Sequence, residues 1–215
     1  MTPSVLVVAK APEAGRVKTR LGAEIGMQRA ADVAAAALLD TLAAATAAVG
    51  AGHCHLSLDG DLDRAVHGPE LREALTGWTV HPQRGADFGA RLADAHARVP
   101  GPVVQVGMDT PHLTPHLLLA AAAGLDVHDA VLGPAEDGGW WVLALRDPAL
   151  SSVLRDVRMS TPTTGADTRA ALTVAGLDVG TTATLRDVDE VADAEAVARL
   201  VPGSRFAEAW GLVSA

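Results

Sequence analysis

The sequence predicts an α/β fold, and three observations predict it. Short β-forming runs alternate with helical runs along the chain, as in a sheet flanked by helices. The run Val5–Val8 is apolar at every position and Val103–Val106 is nearly so, which suits strands buried on both faces. A chain of 215 residues with 49% hydrophobic and 20% charged residues can bury a sizeable core and is far from a disordered composition.

The elements follow in order. Val5–Val8 is the first strand, the loop Lys10–Leu21 leaves it, and a long helix begins near Gly26. The alanine-rich stretch Met27–Val49 is long enough to span a membrane, but Arg29, Asp32 and Asp40 interrupt it, so it reads as a buried amphipathic helix. Cys54–Leu58 is a second strand ending in the acidic turn Asp59–Asp63, and Trp78–His81 is a short third. Asp87–Val99 is helical. Val103–Val106 is the fourth strand, expected at the sheet centre. After the turn Gly107–Pro111, Thr114 and Pro115 supply an N-cap and a first helical residue for a helix to Ala123. Ala130–Leu132, the turn Gly133–Gly139 and Trp141–Leu145 form a strand, a connection and a returning strand. Ser151–Gly165 is loop-rich. A helix over Asp167–Ala175, a strand near Asp178–Thr182, a turn at Asp187–Asp189 and helices over Ala192–Leu200 and Ser204–Trp210 complete the chain. No internal repeat or linker interrupts it, so one domain over residues 1–215 is expected.

Net charge is −9, which argues against nucleic acid or anionic lipid as a partner. Against that background the two lysines of the chain, Lys10 and Lys18, fall in one short stretch with Arg16 and Arg20. A loop that leaves the carboxyl end of a sheet strand and enters a helix is where α/β proteins bind ligands. Gly15 lets its backbone approach a phosphate closely, and the four cations can neutralise a di- or triphosphate. The paired glycines of a P-loop are missing, and no dinucleotide-binding fingerprint is present.

Acidic residues supply the complement. Asp109, in Gly107-Met-Asp-Thr-Pro111, ends the presumed central strand and can accept a divalent ion that bridges phosphate oxygens. Glu136 and Asp137 stand beside Gly138 and Gly139, where backbone can pass close to a ligand or form a hairpin turn. Asp187 and Asp189 point to one side if extended; they complete a metal site with Asp109 or cap the following helix. Other clusters carry less. Asp59, Asp61, Asp63 and Glu70 imitate a calcium loop, but Arg64 stands where glycine is needed. His53 and His55 have no clear third ligand, and Cys54 sits mid-strand without nucleophile support. His112 and His116 flank the Asp109 turn. One cysteine allows no internal disulfide, which suits the cytoplasm.

Together these motifs resemble the glycosyltransferase-A-like (nucleotide-diphospho-sugar transferase) superfamily, and within it the branch named radical-SAM/selenodomain-associated transferase. Its A-K-x-P-x-x-G-x-V-K-T-R-L loop is matched by Ala9 to Leu21. Its Q-x-G-x-x-[LF]-G-x-R segment is matched by Gln83, Gly85, Phe88, Gly89 and Arg91, its G-x-D-x-P by Gly107, Asp109 and Pro111, its L-G-P-A-x-D-G-G by Leu132 to Gly139, and its late D-V-D by Asp187 to Asp189. The resemblance implies a three-layer α/β/α sandwich with a mixed, mostly parallel sheet. It also implies nucleotide or nucleotide-sugar binding by Ala9, Lys10, Gly15, Arg16, Lys18 and Arg20, with Gln83, Gly85, Gly89 and Arg91 on the base or acceptor side. Mg²⁺ or Mn²⁺ would be held by Asp109, Asp187 and Asp189. Lys18, Arg20 and Asp109 would act at the donor phosphates, and Asp137 is the candidate base. Two segments depart from the branch: Arg158-Met159-Ser160 replaces its Trp-Ser, and Glu190-Val-Ala-Asp193 follows the late D-V-D. Glycosyl transfer, nucleotidyl transfer to a phosphorylated acceptor with pyrophosphate release, and a non-catalytic nucleotide binder are the three readings open at this point.

Overall fold

The computed structural model describes residues 2–214. Seven strands form one sheet: β1 (Ser4–Lys10), β2 (Cys54–Asp59), β3 (Thr79–Pro82), β4 (Val103–Val106), β5 (Ala130–Pro134), β6 (Trp140–Leu145) and β7 (Val179–Thr181). Their order across the sheet is β3-β2-β1-β4-β6-β5-β7, so β4 is central, as its apolar run predicts. All neighbours are parallel except β6, which runs antiparallel to both β4 and β5. The chain walks from β1 through β2 to the β3 edge and then returns to the other side of β1 as β4. That reversal opens a crevice at the carboxyl ends of β1 and β4, where doubly wound sheets bind ligands.

Helices cover both faces. The first loop passes into α1 (Thr19–Ile25), and Gly26, at φ +92°, breaks the chain before α2 (Met27–Val49). The long helix expected from Gly26 onward is α2, and α1 before it is an additional helix. Its first turn lies inside the expected loop because Leu21 and Gly22 are buried against α2. Alanine's high helix propensity and small volume let α2 run for 23 residues in close contact with the sheet. A short helix, α3 (Gly68–Ala74), lies in a region where the sequence pattern predicts none. With α5 (Pro115–Gly124), α2 and α3 bury one face of the sheet around Val5, Val7, Leu56, Val104 and Trp141. Thr114 caps α5 by accepting the Leu117 N–H, as predicted.

The opposite face buries Leu6, Val103, Leu132, Leu143 and Leu145 beneath α4 (Phe88–Ala97), the 3-10 helix Pro148–Asp156 and α6 (Thr164–Val174). That 3-10 helix lies in a region read as loop from the sequence, but Leu154 on it is fully buried. Finally α7 (Val191–Leu200) and α8 (Arg205–Ser214) pack Val197 and Phe206 on the outer side of α2. Indole groups tie distant segments: Trp78 Nε1 donates to Thr46 Oγ1, Trp140 Nε1 to Thr168 Oγ1 and Trp141 Nε1 to the Ala183 carbonyl at 2.8 Å.

One buried polar pair has a pH consequence. His96 of α4 is fully buried and its Nε2–H donates to Gln105 Oε1 of β4 at 3.1 Å, while Nδ1 has no partner among the described residues. Burial pushes its pKa down from 6.5 to about 4 against the weaker opposing effect of Gln105. The unfolded chain then binds a proton between those values that the folded chain refuses. The group's contribution to stability is complete above pH 6.5 and is lost as pH falls through 4, about 3 kcal/mol in all. Urea midpoints read from pH 7.5 to pH 4 should show this loss in the wild type and a correspondingly smaller one in His96→Leu/Gln105→Leu. Parallel pH profiles for the two proteins would refute it.

Candidate active site

A buried acid organises the first loop. Glu13 is 7% exposed; its carboxylate takes Arg16 at 3.1 Å and Arg64 at 3.5 Å. Arg16 N–H donates to the Glu13 carbonyl across a turn in which Gly15 adopts φ +79°. No atom lies within 4 Å of where a Gly15 Cβ would be, so this glycine serves the turn's backbone conformation. The loop ends at Lys18, a non-glycine residue in the left-handed region at φ 46°, ψ 46°.

Two later segments bring the acids. The turn after β4 carries Asp109, and the Asp109 carbonyl accepts the Val188 N–H at 2.9 Å. Leu185 N–H donates to the Pro134 carbonyl, and Leu185 pairs with Ala135 in a short parallel bridge. The segment carrying Asp187 and Asp189 is therefore sewn between the β4 turn and the start of the β5–β6 connection.

Lys10, Arg16, Lys18 and Arg20 from the first loop, Asp109 and Asp189 line one cleft of about 300 Å³, together with Ala9, Gln83 and Phe88. The size suits part of a nucleotide. Lys18 Nζ contacts Asp109 Oδ1 and lies 3.1 Å from Asp189 Oδ1, and Arg20 Nη1 lies 3.1 Å from Asp189 Oδ2. Burial opposes the Lys18 ammonium, yet the charges and hydrogen bonds of Asp109 and Asp189 outweigh it and raise its pKa. Among the described residues, the Lys10 ammonium makes no ion pair and is exposed at the cleft.

The other expected residues divide. Asp187 and Asp137 are not among the residues that line the cleft; Asp187 is near enough to Asp137, and to Asp189 and Lys18 of the cleft, to feel their charges. Burial, then the charges of Asp137 and Asp189, push Asp187 up to about 6. Asp137 Oδ1 accepts the Gly139 N–H at 2.7 Å. Gln83 lines the cleft, but its amide N–H groups donate to the Ala9 and Ser57 carbonyls at 3.0 and 3.1 Å, clasping the ends of β1 and β2. Arg91 lies behind the cleft wall: it pairs with Asp59 at 3.5 Å and stacks over the Phe88 ring at 5.6 Å. Gly85 and Gly89 are packing positions. A Cβ at Gly85 would meet Arg91 N at 2.6 Å, and one at Gly89 the Leu154 carbonyl at 2.2 Å.

The Gly138-Gly139 pair likewise admits the protein's own backbone. At Gly138, φ is +90° and a Cβ would lie 2.0 Å from the Pro162 carbonyl oxygen; Gly165 N–H donates to the Gly138 carbonyl at 2.9 Å. Phe88, Met108 and Glu13 are the residues that sequence reasoning left without a role. An acid inside an otherwise cationic loop was the available signal for Glu13.

Oxygen ligands suit Mg²⁺ or Mn²⁺. Among the described residues no group of three or more His, Cys, Asp or Glu is drawn together as a ligand set, which includes the His53–His55 pair and the acidic turn at Asp59. Asp109 and Asp189 do converge on a single cation, the Lys18 ammonium, so the two carboxylates form a seat for positive charge.

Residues 41–161 match the family described as "uncharacterized protein conserved in bacteria" (DUF2064). The chain belongs to this family. No curated protein matches the DUF2064 chain in sequence. A crystal structure from Desulfovibrio desulfuricans G20, assigned as a nucleotide-diphospho-sugar transferase, is similar to it with a TM-score of 0.82 and 28% identity, over 100% of this chain and 95% of that one. CMP:2-keto-3-deoxy-manno-octonic acid synthetase complexed with CTP has a TM-score of 0.58 and 13% identity, over 93% of this chain and 98% of its own. 4-Diphosphocytidyl-2C-methyl-D-erythritol synthase from Anaerococcus prevotii DSM 20548 has a TM-score of 0.58 and 10% identity, over 100% of both chains. These last two share the fold alone. The DUF2064 chain has the glycosyltransferase-A-like, nucleotide-diphospho-sugar transferase fold that the motifs imply.

Proposed function

We propose that this DUF2064 protein, as one domain over residues 1–215, is a metal-dependent transferase acting on a nucleotide-activated small molecule, with glycosyl transfer from a nucleotide sugar as the primary reading. One observation carries it: four cations of the first loop and the carboxylates of Asp109 and Asp189 share a cleft at the carboxyl ends of β1 and β4. The relative assigned as a nucleotide-diphospho-sugar transferase, similar over the whole chain, supports the sugar-nucleotide donor. The concentration of positive charge on a single loop favours a second reading, nucleotidyl transfer from a triphosphate, and cytidylyltransferases share the fold.

The residues divide the work. Lys10, Arg16 and Arg20 bind the donor phosphates and offset charge that develops on the leaving phosphate. Gln83, whose amide nitrogen is held by two backbone carbonyls, is assigned to the base or acceptor side, where its carbonyl oxygen would accept a hydrogen bond. Asp137 is the candidate to take the proton of an acceptor hydroxyl. A bound Mg²⁺ or Mn²⁺, held by Asp109 and Asp189 with Asp187 alongside, would supply Lewis-acid neutralisation of the phosphates.

The test is a nucleotide and nucleotide-sugar panel in a thermal-shift assay, with and without each metal. A binder present at 100 times its Kd should stabilise the protein by about 2.7 kcal/mol. A flat response to every nucleoside di- and triphosphate would refute the proposal. Turnover that releases nucleoside diphosphate selects glycosyl transfer, and released pyrophosphate selects nucleotidyl transfer.

A further inference from the structure

Lys18 combines three features that its role as one phosphate-binding cation does not require. Its backbone occupies a conformation that residues with side chains seldom adopt, at φ 46°. Its side chain is only 7% exposed, whereas that of Arg20, two residues on, is 70% exposed. Its ammonium is placed between Asp109 and Asp189 and takes an oxygen from each, although it also lines the cleft. A left-handed residue before a helix is held there by what surrounds it. Here the surroundings are two carboxylates from segments 91 and 171 residues away in sequence.

The same two carboxylates are the oxygens a divalent ion would need. Mg²⁺ binds oxygen at about 2.0–2.1 Å and tolerates little distortion. An ammonium already 3.1 Å from Asp189 Oδ1 and in contact with Asp109 Oδ1 leaves no room for a second cation on those atoms, and the two positive charges would repel strongly at that separation. We propose that Lys18 is an internal counter-ion that closes the Asp109–Asp189 seat, and that it is exchanged for the divalent ion when the donor arrives. The released ammonium moves to the donor phosphates on the same cleft wall, beside Lys10, Arg16 and Arg20. Metal and donor therefore assist each other: the anionic donor draws Lys18 off the seat, and the metal keeps it off. The inference rests on the donor-site reading above but concerns regulation of that site. It implies that without donor the protein resists divalent ions and needs no metal to neutralise its carboxylates.

The experiment measures Mn²⁺ binding without nucleotide, following free Mn²⁺ by electron paramagnetic resonance. Lys18→Met keeps the length of the side chain and removes its charge. It is expected to bind Mn²⁺ at least tenfold more tightly than the wild type. Arg20→Met, which removes a cation from Asp189 without vacating the seat, should change the affinity less than threefold. Lys18→Asn, whose side chain tolerates the left-handed conformation, repeats the measurement should the Met variant fail to fold. Equal or weaker Mn²⁺ binding in the Lys18 variants overturns the exchange, as does an equal gain from Arg20→Met, which would reduce the effect to general electrostatics. The nucleotide panel separates the two proposals. If nucleotides bind but Lys18→Met gains no metal affinity, the exchange alone fails. If Lys18→Met gains affinity but no nucleotide binds, the cation seat stands and the transferase reading falls.

Discussion

Asp109→Asn should lower donor turnover by roughly 100- to 1,000-fold, the loss typical of removing one fixed electrostatic contact from a reacting phosphate or oxyanion. The substitution keeps the size of the side chain and replaces an oxygen that faces the Lys18 ammonium. Lys18 keeps Asp189, and Asp109 itself is 47% exposed, so solvent screens much of the pair. The expected stability change is correspondingly small, about 1 kcal/mol or less. Turnover and thermal midpoint measured on the same preparation separate chemistry from folding. A non-catalytic nucleotide binder would show no turnover in either protein and nucleotide affinity indifferent to Asp109. Metal-dependent turnover that survives Asp109→Asn unchanged would remove Asp109 from the reacting centre.

Gly138→Ala should be the most destabilising of the conservative substitutions considered. Two penalties add at this position: a φ of +90°, and a Cβ placed 2.0 Å from the Pro162 carbonyl oxygen, a backbone atom that cannot swing aside. The left-handed conformation costs about 1–2 kcal/mol and overpacking typically 1–3 kcal/mol more. The sum corresponds to a drop in Tm on the order of 10 °C for a chain of this size. Gly15→Ala is the internal control, because it has a similar φ of +79° and open space around the new methyl. It should cost only the conformational part. Equal losses at the two positions would show that the docking of the Pro162 loop against Gly138 contributes nothing.

What the sequence disclosed, and what it hid, follows from the range of each interaction. Val5–Val8 and Val103–Val106 declared buried parallel strands because both faces are covered and every position is constrained. Thr114-Pro115 declared a helix start because capping is local chemistry between neighbouring residues. The helix α1 was hidden because its first residues belong to a cationic segment that reads as loop, and Leu21 and Gly22 are held by packing against α2. The 3-10 helix Pro148–Asp156 was hidden because its stability comes from Leu154 entering a core assembled by α4 and the sheet.

At the site, a cluster of lysines in a lysine-poor chain was enough to find the loop, and the G-x-D-x-P and D-V-D motifs found its acids. Their pairing was not legible, since Lys18 and Asp189 meet only through the fold. The glycines misled in one respect: Gly85, Gly89 and Gly138 look like room left for a ligand, but each is filled by the chain's own backbone. Sequence shows that space is required without showing what fills it.

The hydrogen bond from Trp141 to the Ala183 carbonyl has an optical consequence. With no tyrosine and four tryptophans in the chain, near-ultraviolet emission comes almost entirely from indole. The Trp141 indole is anchored in the central sheet and grips the main chain a few residues ahead of Asp187 and Asp189. A shift in that emission on adding nucleotide, reduced in Trp141→Phe, is the expected signature of movement at the acidic lip of the cleft.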